Sequence, residues 1–327
     1  MKTKKSLILI VISLLIMGSN VYSQDVKNVV AGNNEFTFSL YNQINNDAEN
    51  VFFSPYSISS ALAMTYNGAR KKTKKEMAEV MNFNENEKIL SENFSKLNSH
   101  ITNLSSEEIQ MDIANSIWGQ QDYGFENRFL ELNDKYYGAG VKEVNFKENY
   151  NSIRKDINKW VEEKTQEKIK NLIKKNMLDP MTRMVLVNAI YFKGKWEFPF
   201  KEKDTYEDTF YIYSECKTKA DFMRKEVSLK YHEDDLAQVV EIPYSGKSLS
   251  MMVILPKEKY GMEQLEDHLD ENLYSSYQKS MSTQKVKLTL PKFEITADYE
   301  LNDPLKNMGM KSAFGKDADF SGMTGKK

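Results

Sequence analysis

Residues 50–73 read NVFFSPYSISSALAMTYNGARKKT, and the middle of this stretch decides how the rest is read. From Tyr56 to Tyr66 there is no charge at all, only Ala, Leu, Ile, Met and Tyr among small hydroxyl residues. A helix that is apolar on every face has to be buried, so this one belongs inside a large core. Ser54-Pro55 stands at its start, where proline is tolerated because the first helical N–H has no partner anyway. Gly68 closes it, and Val51-Phe52-Phe53 before it reads as a short apolar strand.

Working outward, residues 34–45 carry Phe36, Phe38, Leu40, Tyr41 and Ile44 among polar neighbours, the pattern of an amphipathic helix. Ile153, Ile157, Trp160, Val161, Ile169, Leu172 and Ile173 recur at three- and four-residue steps, which predicts a long helix over 151–173. MVLVNAIYF (184–192) is apolar on both alternating faces except for Asn188, so it reads as a strand covered on both sides in the middle of a sheet. A buried amide must find partners or cost ~1–3 kcal/mol, so Asn188 implies a polar knot in the core. Residues 249–255 form another apolar strand, stopped by Pro256. Val286, Leu288 and Leu290 alternate with polar residues up to Pro291, as in a half-exposed strand. Helices and strands mix without regular alternation, which makes the fold class α+β.

The first residues are a different matter. Lys2, Lys4 and Lys5 precede an apolar run from Leu7 to Met17, and Val21-Tyr22-Ser23 follows a Gly-Ser-Asn break. This is a secretory signal over residues 1–23, with cleavage near Ser23–Gln24. The run is shorter than the ~20 residues a membrane span needs. The leader carries three of the 45 basic residues and none of the 47 acidic ones, so the remainder has a formal charge of −5. That balance excludes a global electrostatic case for nucleic-acid binding. The product is expected to be exported: extracellular, or periplasmic in a bacterium, with no membrane attachment after cleavage. Cys216 is the single cysteine, so no intramolecular disulfide supports the fold.

Local chemistry yields no enzyme, cofactor or metal. His100, His232 and His268 each sit in polar settings, without a G-x-S-x-G elbow or a second His at helical spacing. His232-Glu233-Asp234-Asp235 reads as a solvated turn, because consecutive side chains point in different directions. Arg70-Lys71-Lys72 with Lys74-Lys75 is the sharpest basic cluster. A sulfated polyanion would find charge at Arg70–Lys75, but without arginine-rich or aromatic companions the cluster reads as a solvated helix end.

Several of these runs together resemble the serpins. The stretch 50–73 is similar to the second serpin helix with its preceding Ser-Pro. INKWVEEKTQEKIKNLI (157–173) resembles the helix that crosses the main sheet, and LVNAIYFKGKWEFPF (186–200) resembles the third strand of that sheet and the turn beyond it. VVEIPYSGKSLSMMVILP (239–256) resembles a strand pair of the second sheet. LTLPKFEIT (288–296), then DPLKNMGMKSAF and DADFSG (303–322), resembles the stretch leading toward a fifth main-sheet strand. The resemblance covers nearly all of residues 24–327 and implies one serpin domain, with three β-sheets and about eight or nine helices.

It also implies a function. A protease attacks an exposed loop as a substrate and forms an acyl-enzyme; the cut loop then enters the main sheet and distorts the protease. The target is a serine protease, with cysteine proteases also open. Ser54, Ser57 and Asn188 match the shutter, where strands must part. Trp196 and Lys292 match the breach, where the loop first enters. Asn158, Trp160 and Thr165 match the crossing helix, which must shift aside. The pattern of the family continues past the DFSGM motif with a fifth strand, hinge, reactive loop and final strands. Residues 24–327 alone are therefore expected to contain no reactive bond, and to be poorly stable and non-inhibitory. A non-inhibitory serpin-fold carrier or chaperone, or an inactive fragment, is the alternative.

Overall fold

The computed structural model describes residues 9–11, 24–45, 50–213, 216–295, 297 and 299–326. Most of the expected signal therefore lies outside the described residues; Leu9–Val11 forms a short strand, β1. The chain divides into two units, one of Met1–Val21, Phe38–Phe53 and Gly194–Tyr299, the other of Tyr22–Thr37, Ser54–Lys193 and Glu300–Lys327. Helix α1 (Gln24–Ile44) contributes to both.

In the unit centred on 194–299, the strands β5 (Thr205–Tyr213), β6 (Cys216–Glu233), β7 (Ala237–Pro243), β8 (Ser250–Pro256) and β9 (Ser282–Pro291) form one sheet with β1. Its order is β1-β8-β7-β6-β5, and β9 pairs with β6. The 18-residue β6 holds the sheet together: it pairs antiparallel with β5 at one end, with β7 at the other, and with β9 between. The strands β7 and β8 are apolar and almost wholly buried. Val239, Met252 and Ile254 pack against Met262 and Leu265 of α7 (Met262–His268) and Tyr274 and Tyr277 of α8 (Glu271–Ser280).

The other unit holds α2 (Pro55–Tyr66), α3 (Lys71–Met81), α4 (Glu87–Thr102), β2 (Ile109–Gln120), α5 (Asn127–Tyr137), β3 (Val141–Val144), α6 (Phe146–Lys164) and nearly all of β4 (Met184–Gly194). Short helices α9 (Asn302–Met308) and α10 (Ser321–Thr324) follow. Helix α2 has the expected bounds: the Ser54 hydroxyl caps it by accepting the Ser57 N–H at 3.3 Å, and Pro55 fills the first turn. Val51–Phe53, in contrast, form no strand; the Phe52 N–H is taken by the Tyr299 hydroxyl at 3.0 Å.

The strands β3, β2 and β4 make a three-stranded sheet in that order, β2 and β3 parallel. Thus β4 stands at an edge among the described residues, not in the middle of a sheet, and most of its residues are half-buried. The helix expected over 151–173 runs instead from Phe146 to Lys164. It stops where the Thr165 hydroxyl turns back to the Val161 carbonyl (2.8 Å) and accepts the Ile169 N–H (3.1 Å). Gln166 and Glu167 then take positive φ of 50° and 58°, which no α-helix accommodates.

The last described turns close over the α2–α3 junction. The Gly322 N–H donates to the Gly68 carbonyl at 3.0 Å, so closely that a Cβ on Gly68 would lie 2.2 Å from Met323 Cγ. Nearby, Glu76 on α3 accepts the N–H (2.5 Å) and hydroxyl (2.9 Å) of Ser312 and faces Lys72 at 3.5 Å. Burial alone would raise its pKa; the Ser312 bonds and Lys72 outweigh burial and hold the carboxyl below its ordinary value. Glu76→Gln should therefore cost about 2 kcal/mol near neutral pH. The wild-type contribution is intact above the carboxyl's unfolded pKa and lost as pH falls through the lower folded one. Urea unfolding of both proteins at neutral and acid pH checks this: the gap between them should close in acid.

Candidate functional site

Strand β4 and the α6 segment over its sheet carry Asn188, Asn158, Trp160 and Thr165; the other four candidate residues lie elsewhere. Asn188 Nδ2 donates to Asn115 Oδ1 of β2 at 2.7 Å, and Asn115 Nδ2 donates to the Tyr137 carbonyl at 2.9 Å. Asn188 Oδ1 is buried and has no hydrogen-bond partner among the described residues. An acceptor shut away from water in this state costs ~1–3 kcal/mol, so the site keeps an unused polar position beside an open strand. Asn115 is the member that sequence reasoning misses, although it interrupts the strand MDIANSIWGQ much as Asn188 interrupts its own.

Ser54 and Ser57 meet each other at the head of α2, Ser54 exposed and Ser57 half-buried. No described hydrogen bond joins either of them to Asn188. The deeper serines are Ser59 and Ser60, both 1% exposed; the Ser59 hydroxyl donates to Asn33 Oδ1 at 2.7 Å.

Helix α6 packs by apolar contacts. Ile153, Ile157 and Val161 share a core with Trp118 of β2 and Val187 and Ala189 of β4. Asn158, 5% exposed, does not bond the sheet. Its Oδ1 accepts the Ile173 N–H at 2.8 Å and its Nδ2 donates to the Ile173 carbonyl at 3.0 Å, as a neighbouring strand would. Arg154 donates to the same carbonyl at 3.0 Å. Asn158 and Thr165 thus fold the segment after α6 back along the helix. Trp160 is half-buried against the same core.

Trp196 and Lys292 are positioned apart from this group, in the other unit. Trp196 stacks on Tyr244 with ring centroids 4.5 Å apart and planes 11° from parallel, and the two residues form a β-bridge. Burial pushes the Tyr244 phenol up to about 12. The Lys292 N–H donates to the Asp221 carbonyl at 2.7 Å while its side chain is exposed. No described contact joins Trp196 to Lys292.

The basic cluster is neutralised in place. Arg70 and Lys74 meet the buried Glu87 at 3.0 and 2.7 Å; Lys71 meets Asp319, Lys72 meets Glu76 and Lys75 meets Glu79. Every cation of the cluster lies beside a carboxylate, with Arg70 and Lys74 sharing Glu87, so little net positive charge is left to hold a polyanion. Among the described residues no group of three or more His, Cys, Asp or Glu is placed to hold a metal ion, and no helix is long and apolar enough to cross a membrane.

Comparison with known proteins gives this architecture a family. The family model described as Serpin (serine protease inhibitor) matches residues 31–327. The chain is 38% identical to human Serpin B3, covering 90% of this chain and 80% of that protein. Its structure is similar to ovalbumin from emu (Dromaius novaehollandiae), with a TM-score of 0.88, 30% identity, and coverage of 92% of this chain and 82% of that one. It is also similar to cleaved Serpin 42Da, with a TM-score of 0.85, 29% identity, and coverage of 91% and 81%. The chain belongs to the serpin family, and its fold is the α+β serpin fold.

The geometry around Asn158 makes a prediction. Asn158→Leu should lower stability by about 1–3 kcal/mol, since it leaves the buried Ile173 N–H without a side-chain partner and its carbonyl with Arg154 alone. Hydrogen exchange should accelerate first at residues 166–183, and unchanged exchange there would refute the clamp.

Proposed function

We propose that this chain carries the strand-accepting body of an exported serine-protease inhibitor of the suicide-substrate type, and that the strand such a body takes up lies beside β4. The observation that carries this reading is the serpin family match over residues 31–327, and within that fold the amide tie of Asn188 to Asn115 on a strand whose other side pairs with no described strand. Among the described residues no strand lies on the outer side of β4, and a strand edge of that kind offers backbone donors and acceptors to one further strand. A residue with a side-chain donor on that strand would meet the Asn188 amide oxygen.

In this reading the protease serine attacks the carbonyl of an exposed loop, the C–N bond breaks, and the new amine end departs. The acyl ester stays on the loop as it enters the sheet. Insertion must outrun hydrolysis, so the native state has to lie above a more stable one behind a kinetic barrier. Asn188 and Asn115 suit the opening edge because a hydrogen bond can be exchanged for an equivalent one, whereas apolar packing has to be lost and rebuilt. Trp196 and Lys292 would mark the entry end of the path, and α6 would yield as the strand passes. Residues 1–23 would direct export.

The test uses residues 24–327 and supplies the strand separately, as a peptide of about a dozen alternating Thr and Ala residues with one Asn in register with Asn188. At saturation the thermal midpoint should rise by about 5 °C, and amides of 184–194 should become protected from exchange. Asn188→Ala should weaken both effects. Protection that appears elsewhere, or none at β4, would overturn the insertion reading and leave a binding protein that uses the fold in another way.

A further inference from the structure

Helix α6 is fastened to its sheet unevenly. Its first residue, Phe146, follows the end of β3 by one linking residue, Asn145, which caps the helix by accepting the Glu148 N–H at 3.3 Å. The Lys147 N–H also donates to Gln120 Oε1 of β2 at 3.2 Å. The N-terminal end is therefore tied by chain and by hydrogen bond. Asn149 then kinks the helix (φ −125°, ψ 20°), and Trp160 lies eleven residues beyond the kink, about 16 Å along the axis at ~1.5 Å per residue. Between these points the contacts are apolar and non-directional, and the hydrogen bonds of Asn158 and Arg154 go to the following segment, not to the sheet.

At that far end one side chain reaches across. Lys142, on β3, places its Nζ 4.4 Å from the Trp118 ring centroid and 5.4 Å from that of Trp160. Trp118 is 6% exposed, and its Nε1–H donates to Ser116 Oγ at 3.0 Å, so its indole is held by a second contact. Lys142 itself is exposed, and among the described residues no carboxylate pairs with it. A cation shared by two indole faces is attracted by both ring quadrupoles, and Trp is the strongest of the aromatic partners.

We infer that Lys142, gripped by Trp118 and Trp160, is a latch that holds the free end of α6 on the β2–β3 side of the sheet and sets how readily the helix lifts about its N-terminal hinge. The use of the latch rests on the proposed insertion of a strand; its existence does not. The lysine charge is the active element. A chain of equal length without charge would leave the apolar contacts in place and remove only the attraction.

Hydrogen exchange of residues 24–327, with no peptide and no protease present, tests this apart from the inhibitor reading. Lys142→Met should make amides over 153–164 exchange about five-fold faster, with α4 and β2 unchanged, while Lys142→Arg should stay near wild type. Trp160→Leu should also be faster, and Lys142→Met should add nothing to it. Acrylamide quenching gives a second readout: a tryptophan should become more accessible in Lys142→Met, and that gain should vanish in Lys142→Met/Trp160→Phe only if Trp160 is the one released. Lys142 is exposed, so its substitution leaves the core intact. Wild-type exchange over 153–164 in Lys142→Met, equal acceleration in Lys142→Arg, or a uniform increase that includes α4 would each overturn the latch. If peptide uptake beside β4 fails while the exchange result holds, the latch stands and the inhibitor reading falls.

Discussion

Every backbone N–H and C=O has to be paired or wetted, and among the described residues β4 is an apolar strand whose outer edge leaves that demand open. The strand is apolar on both faces, so water is a poor partner for its side chains, yet its outer edge pairs with no described strand. Edge strands in settled folds are blunted by charge, proline or a bulge. From Met184 to Phe192 this one has none of these, and Lys193 is the first charge along it. A two-faced apolar strand suits a position between two others, so the composition of β4 fits a further strand at its side.

Apolar packing is as tight over the β4 sheet, where Ile157 and Val161 are wholly buried, as it is in the other unit. There, Val239, Met252, Ile254, Leu265 and Tyr277 are sealed at 1% exposure or less. Parting such a cluster would expose apolar area at about 25 cal/mol per Å², a cost no local exchange of partners offsets. Beside β4 the specific ties are amide to amide, and over α6 they are a cation between two rings. Such contacts are directional and individually weak. They define one arrangement without making its alternative prohibitive.

Local chemistry made some of this readable in the sequence. Helix α2 follows from Ser54-Pro55 and an uncharged run, because a cap and a buried helix are both short-range statements. The end of α6 does not, since Ile169, Leu172 and Ile173 keep the helical period after the helix has stopped. Asn158 explains why: by bonding both backbone groups of Ile173 it lays that segment back along α6, so its apolar residues serve the same core from a different conformation. Periodicity records which residues face the core, not the backbone that carries them. Val51–Phe53 fails as a strand for a related reason. Val51 and Phe53 do pack toward the interior, but the Phe52 N–H goes to a side chain instead of a ladder. The edge position of β4 was hidden as well, since a two-faced apolar strand reads the same whether or not its neighbour is present.

Long-range pairings were the least visible. Trp118, Lys142 and Trp160 come from a strand, a second strand and a helix, and nothing in their spacing connects them. The basic residues 70–75 show the opposite failure, because a cluster conspicuous in sequence loses its meaning once Glu87, folded under Arg70 and Lys74, is seen. Removing several cations from water requires a buried carboxylate to compensate, and a site for a polyanion requires cations left over; the same residues cannot serve both ends. Lys142 has no carboxylate to satisfy it among the described residues, so the faces of two indoles are its remaining source of attraction, and a helix that must hold and also release is well served by a contact of that strength.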